Sequence, residues 1–355
     1  MAGARDTVRF VQTDDNVRLA WCVTGDGPPL VKTANWLTHL EYDRNSLVWA
    51  HWQAFLEQHF RYYRYDERGI GMSERRVANL SPEMWAPDLE TVVRAAKPEK
   101  PFVLLGISQG CGPALAYAAK YPEHVSKLII YGGYLRGWAK RSAEEARHRK
   151  AIRELVELGW GQANPAFRRI YTSMFLPEGT EEQLAWFDEV CAKSTTPELA
   201  GRLMDEQGHA DFSHLPEQVS VPTLVMHCID DGVVPYSQGV EIASGIPGAE
   251  FVQIDSRNHV LLDNEPGWDL FKSVFLDFTG QTDSSEDIAF ATLSDRERDV
   301  LAKITEGCSN KDISEQLFIS EKTVKNHITK LFEKLGVSNR SQAIVKARDG
   351  GFSHS

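Results

Sequence analysis

Phe102-Val103-Leu104-Leu105-Gly106-Ile107-Ser108-Gln109-Gly110 is the segment that decides the fold. Its leading apolar residues predict a strand over Phe102–Leu105, and the Ala-rich run Gly110–Tyr121 behind it predicts a helix. A Gly-x-Ser-x-Gly between strand and helix is the context of a nucleophile elbow. The serine occupies a strained turn, and the flanking glycines let two backbones cross with no Cβ between them. A serine hydroxyl is a poor nucleophile until a base takes its proton, and that base must be oriented by an acid. Two later loops, each following a strand, offer these partners. Thr223–His227 leads into Cys228-Ile229-Asp230-Asp231-Gly232-Val233-Val234-Pro235, and Phe251–Ile254 leads into Asp255-Ser256-Arg257-Asn258-His259. On the residues alone, Asp230 and Asp231 are also both good turn formers.

Outward from the elbow, apolar runs bounded by turn residues alternate with segments of helical period. Further strands are predicted at Val8–Thr13, Leu19–Val23, Leu30–Thr33, Tyr62–Tyr65 and Val125–Tyr131, and further helices at Trp49–His59, Trp85–Ala96 and Ser237–Ser244. This alternation predicts an α/β fold, a doubly wound and mostly parallel sheet covered on both faces. Lys140–His214 breaks the pattern with Glu/Arg-rich, aromatic-spiked helices, so a helical cap is expected at about 134–215, over the carboxyl ends of the strands. Thr279–Asp287 is polar and nearly free of apolar anchors. It predicts a linker at 280–289 between a first domain at 1–279 and a second at 290–355.

Residues 8–278 resemble the α/β-hydrolase superfamily, with Asp66-Glu67-Arg68-Gly69-Ile70-Gly71-Met72-Ser73 as a further signature. In that family's D-x-V-V-P pattern the acid falls on Asp231 rather than Asp230, so the resemblance implies nucleophile Ser108, acid Asp231 and base His259. The family usually carries His-Gly after its third strand, where this chain has Lys32-Thr33-Ala34-Asn35-Trp36-Leu37. Oxyanion donors are therefore expected from the backbone of Gln109 and, without glycine's freedom, of Trp36. Trp36, Trp138, Trp160, Tyr171, Phe175 and Trp186 are expected to line a pocket for a small apolar ester- or lactone-like molecule near Ser108.

The tail has a different period. Ser294 and Glu297 form a capping-box pattern ahead of Val300, Leu301 and Ile304; Gly307 stops that helix, and Ser309 starts another with Ile313 and Leu317. A third helix from Glu321 spaces Val324, Ile328, Leu331 and Leu335 as core, which turns Lys322, Lys325, Asn326, Thr329 and Lys330 outward. Leu293-Ser294-x-Arg296-Glu297, Asn310-Lys311-x-Ile313, Thr323-Val324-Lys325-Asn326-His327 and Lys334-Leu335-Gly336-Val337 are similar to LuxR-type (GerE-like) helix-turn-helix domains. The resemblance implies a small all-α unit that meets double-stranded DNA through Lys311, Lys322, Thr323, Lys325, Asn326, Thr329 and Lys330, as a homodimer paired through the last helix, around Ser341–Arg348.

Charge agrees with this division. The net charge of the 355 residues is −11, but residues 290–355 hold 11 Lys+Arg against 9 Asp+Glu, while the remainder holds 28 against 41. Only the tail can tolerate a polyanion. Five cysteines at scattered spacings match neither a disulfide framework nor a zinc site and are expected to be small buried hydrophobes, and no metal or cofactor is implied. With no signal-like or membrane-spanning apolar run, a cytoplasmic protein is expected. Together the two resemblances imply a ligand-responsive transcription regulator; a serine esterase or lactonase with a secondary tail, and a receptor that does not hydrolyse its ligand, are the alternatives.

Overall fold

The structure is a computed structural model that describes residues 7–160, 162, 164, 166–281, 293–335, 337 and 339–349. The expected linker lies mostly outside them, as does Gly336. The chain divides into two compact units, Met1–Thr279 and Gly280–Ser355.

The first unit is built on one eight-stranded sheet: β1 (Arg9–Gln12), β2 (Arg18–Thr24), β3 (Pro29–Lys32), β4 (Arg61–Tyr65), β5 (Phe102–Ile107), β6 (Val125–Tyr131), β7 (Thr223–Cys228) and β8 (Glu250–Ile254). Their spatial order is β1-β2-β4-β3-β5-β6-β7-β8, parallel from β4 to β8, with β1 and β2 antiparallel at one edge. All eight predicted strands are present, β6 with both ends as predicted and the others with one or both ends shifted by a residue or two, β5 running on to Ile107. β5 and β7 are wholly buried, which is why they read as unbroken apolar runs rather than as alternating ones.

Chain progress reverses direction between β4 and β5. Right-handed crossovers therefore set α1 (Ala50–His59) on one face and α2 (Trp85–Ala96), α3 (Cys111–Lys120) and α8 (Tyr236–Gly245) on the other. A helix missed in the sequence, α9 (Pro266–Thr279), packs beside α1, with Trp52 4.8 Å from Trp268 and Phe55 5.7 Å from Phe275 between ring centroids. The signature loop after β4 is a structural clasp. Asp66 accepts from the Leu40 and Met72 amides at 3.1 and 2.9 Å, and the fully buried Arg68 holds Asp88 at 2.6 Å and Asp15 at 2.8 Å.

Between β6 and β7 four helices form the insertion: α4 (Ala143–Gly159), α5 (Ala166–Phe175), α6 (Glu181–Ser194) and α7 (Pro197–His209). Side-chain caps start three of them, with Ser142 accepting from Glu145 N–H, Thr180 from Gln183 and Thr196 from Leu199.

The second unit contains α10 (Asp295–Thr305), α11 (Asn310–Gln316), α12 (Glu321–Leu335) and α13 (Arg340–Asp349) around its own core of Leu293, Val300, Leu301, Ile304, Ile313, Val324, Leu331, Leu335, Ala343 and Ala347. Capping boxes open α10 and α11, and Gly307 at φ 85° lets the chain turn out of α10. Among the described residues no helix is long and apolar enough to cross a membrane, and no His/Cys/Asp/Glu cluster is arranged for a metal ion. Cys22, Cys111, Cys191 and Cys228 are buried free thiols; Cys308 is only half-buried, short of the burial expected of it.

Candidate functional site

At the carboxyl end of β5 the backbone turns sharply into α3, and Ser108 takes φ 52°, a left-handed conformation that costs a non-glycine residue about 1–2 kcal/mol. The neighbouring glycines make the turn possible. A Cβ on Gly110 would lie 2.3 Å from Thr33 Oγ1 and 2.7 Å from Ala34 O, so the loop after β3 can approach only a bare backbone.

The loops after β7 and β8 bring Asp231 and His259 to this turn. His259 Nε2 lies 2.8 Å from Ser108 Oγ, and its Nδ1 lies 2.7 Å from Asp231 Oδ2. The other Asp231 oxygen accepts from the Val233 and Val234 amides at 2.7 and 2.9 Å. Burial by itself would raise the Asp231 carboxyl, but the adjoining His259 charge and hydrogen bonds outweigh it and hold the group below its ordinary value. His259 is fixed from behind, its N–H donating to Phe175 O at 2.8 Å and its carbonyl accepting from the Tyr131 hydroxyl at 3.1 Å. Asp230, the other aspartate of that loop, is exposed.

Across the pocket, the loop after β3 carries Trp36 and Leu37. The left-handed residue here is Leu37, at φ 59°, and among the described residues the Trp36 N–H has no protein acceptor. The loop is pinned by the Lys32 ammonium on Asn35 Oδ1, by Asn35 Nδ2 on Trp36 O at 3.3 Å, and by the Thr33 hydroxyl on Gly110 O at 2.8 Å. The Gln109 side chain donates to Glu67 Oε1 at 2.6 Å and accepts from Gln207 Nε2 at 2.6 Å, linking the elbow to both the signature loop and the cap. Glu67 is buried with Oε2 unpartnered, and burial pushes its carboxyl up to about 8.

A cavity of about 50 Å³ opens over Ser108 and Gln109. Trp36, Trp138, Tyr171 and Phe175 line it as expected. Trp160 and Trp186 do not. Trp160 packs tilted against Trp36 and edge-on to Tyr171, with its Nε1–H on Thr195 O at 3.2 Å, whereas Trp186 stacks on Tyr42 at 5.3 Å. The wall also includes Tyr134, Arg141, Arg149, Met204 and Gln207, which the sequence reading passed over. A usable signal was there: Glu145 and Arg149 stand four residues apart on one side of α4, and Arg141 stands four residues earlier, just ahead of the helix cap.

In the second unit, Lys322, Lys325, Asn326, Thr329 and Lys330 of α12 are exposed, as is Lys311 on α11, while Val324, Leu331 and Leu335 face the core. Thr323 differs from the rest. It is half-buried, with its hydroxyl 2.8 Å from Ser320 Oγ and its N–H on the same oxygen, so it closes the start of α12 instead of standing free. Glu297 of the first capping box also accepts from Lys334 at 2.7 Å, tying α10 to α12. Although burial opposes it, this pairing lowers the Glu297 carboxyl to about 2.

Residues 50–267 match the family described as serine aminopeptidase, S33, and residues 291–347 match bacterial regulatory proteins, luxR family. The chain is 24% identical over 265 residues to pyrrolizixenacetamide deacetylase of Xenorhabdus hominickii, covering 74% of this chain and 95% of that protein. Its tail is 54% identical over 56 residues to transcriptional regulatory protein LiaR of Bacillus subtilis strain 168, or 16% of this chain and 26% of that protein. An esterase from Exiguobacterium antarcticum shares the fold with a TM-score of 0.64 at 22% identity, over 77% of this chain and 100% of the esterase. With more than half its length matched, the chain belongs to the serine aminopeptidase S33 family of α/β hydrolases, and it carries a luxR-family helix-turn-helix at its C-terminal end.

Proposed function

We propose that this chain is a ligand-responsive transcription regulator whose sensor is a working serine hydrolase for a small ester, lactone or amide. One observation carries the reading: a single polypeptide holds a hydrogen-bonded Ser108–His259–Asp231 relay beneath a cap and a helix-turn-helix with an exposed basic face. In this reading His259 Nε2 takes the Ser108 proton as Oγ attacks the carbonyl carbon, and returns it to the leaving group. Asp231 holds the imidazole in the required tautomer and stabilises its cation. The Trp36 and Gln109 amides receive the developing oxyanion, each worth about 10²–10³ in rate. Two strained residues flanking the pocket, Ser108 and Leu37, support a purpose for both donor loops. Lys325, Asn326 and Thr329 then read base edges in the major groove while Lys311, Lys322 and Lys330 meet phosphates, and a homodimer raises an affinity that one weakly basic head could not supply.

The test uses the full chain. A fluorophosphonate should label Ser108 and fail to label Ser108→Ala, and the labelled protein should bind its own upstream DNA with at least about fivefold altered affinity. Lys322→Ala should reduce the slope of log affinity against log salt by about 1.8, about 0.9 for each head of the dimer. Absence of salt-sensitive binding to any promoter fragment would end the regulator reading. An unlabelled Ser108 in a DNA-binding protein would instead make it a receptor without turnover.

A further inference from the structure

The wall of the Ser108 cavity contains two arginines and no acidic residue. Arg141 and Arg149 are both nearly buried, with side chains 9% and 13% exposed. They share one carboxylate between them: Glu145 Oε1 lies 2.7 Å from Arg141 Nη1 and 4.0 Å from Arg149 Nε. The rest of each guanidinium is held for position. Arg141 Nε donates to Arg136 O at 2.7 Å and its plane lies over the Tyr134 ring at 5.1 Å, while Arg149 Nη2 donates to the Val233 carbonyl beside the acid loop. That leaves Arg141 Nη2 with no protein acceptor among the described residues, and Arg149 Nη1 with only the Met174 thioether at 4.0 Å. Burial lowers the proton affinity of Arg149, and the one carboxylate that pairs with the two guanidinium groups, Glu145, lies closer to Arg141.

Two positioned guanidinium groups with vacant N–H bonds, set beside the aromatic part of the wall, are a poor lining for a wholly apolar molecule, because nothing would replace the water those donors lose. They suit a planar anion that accepts in a fork. We infer that the ligand of this cavity is a carboxylate-bearing ester, lactone or amide, its hydrocarbon against Trp36, Trp138, Tyr171 and Phe175 and its carboxylate on Arg141 and Arg149. The inference rests on the reading of Ser108 as nucleophile for its orientation and replaces the uncharged ligand expected from the sequence.

Hydrolysis of mono-4-nitrophenyl glutarate is compared with that of 4-nitrophenyl butyrate, which lacks the distal carboxylate. The ratio of kcat/KM should favour the glutarate by about tenfold or more, fall toward unity in Arg141→Gln, and recover in part in Arg141→Lys. A wild-type ratio of one or below, or a ratio unmoved in Arg141→Gln, overturns the inference. If neither ester is turned over, the hydrolase reading fails separately and calorimetry on the same protein decides. Binding of 4-phenylbutyrate at least about tenfold tighter than 4-phenylbutyramide sustains the anion site, and equal binding or none overturns it.

Discussion

Glu67 is the residue on which local physics and the site meet most directly. It is held under the elbow by Gln109, and its second oxygen has no partner, so the buried group keeps its proton up to about 8 against an ordinary 4.5. The unfolded chain gives up that proton at the ordinary value. Stability is therefore full below about 4.5, declines as pH rises toward 8, and levels off above it. Asp231 works in the opposite sense and only at lower pH, since its depressed value withdraws stability as pH falls below the ordinary 3.8. Glu67→Gln keeps an acceptor for Gln109 and has no charge to bury, so its melting temperature should exceed that of the parent by a margin that widens between pH 5 and 8, on the order of 5 °C in all. A margin constant with pH would rule this account out. The role of Glu67 could not be assigned from sequence because it depends on what packs against it, and the spacing of Arg141, Glu145 and Arg149 was visible without showing which wall they would join. Ser108 and the loops that carry Asp231 and His259 were easier to place, because each follows a strand whose apolar run marks its own end, but the choice of Asp231 over Asp230 came from the family's pattern.

At the scale of elements, the junction of β5 and α3 against the β3 loop is the least tolerant place in the first unit. Gly110→Ala puts a methyl into Thr33 and Ala34, which should cost roughly 1–3 kcal/mol. It should also slow fluorophosphonate labelling of Ser108 by about 10²-fold through displacement of the Trp36 donor. Unchanged melting and labelling would show that the β3 loop is not held by this approach. Buried parallel strands were readable because both faces are apolar, and α12 because its core positions keep a strict helical spacing with lysines between them. The cap was readable only as helical. Which faces α4 and α6 present depends on tertiary packing, and so Trp160 and Trp186 were placed in the wall while Arg141 and Arg149 were not. α9 was overlooked although Trp268, Phe271, Phe275 and Phe278 recur at i, i+3, i+7 and i+10 and so share one face, a helical spacing that was legible in the sequence.

Among the described residues the sheet unit and the tail have separate main cores that share no residue, the tail's made of about ten side chains. A helical unit of this size removes much less apolar surface from water per residue than the larger one, so it should melt first. Calorimetry of the full chain should show two transitions, the lower raised by operator DNA and the upper by whatever fills the cavity, and a single cooperative peak would show that the units stabilise each other. This separation has a physiological edge. On the proposed reading, warming would release the promoters while the Ser108 cavity was still folded, so control of transcription would lapse before the cavity lost its shape, and cooling would restore the two in the reverse order.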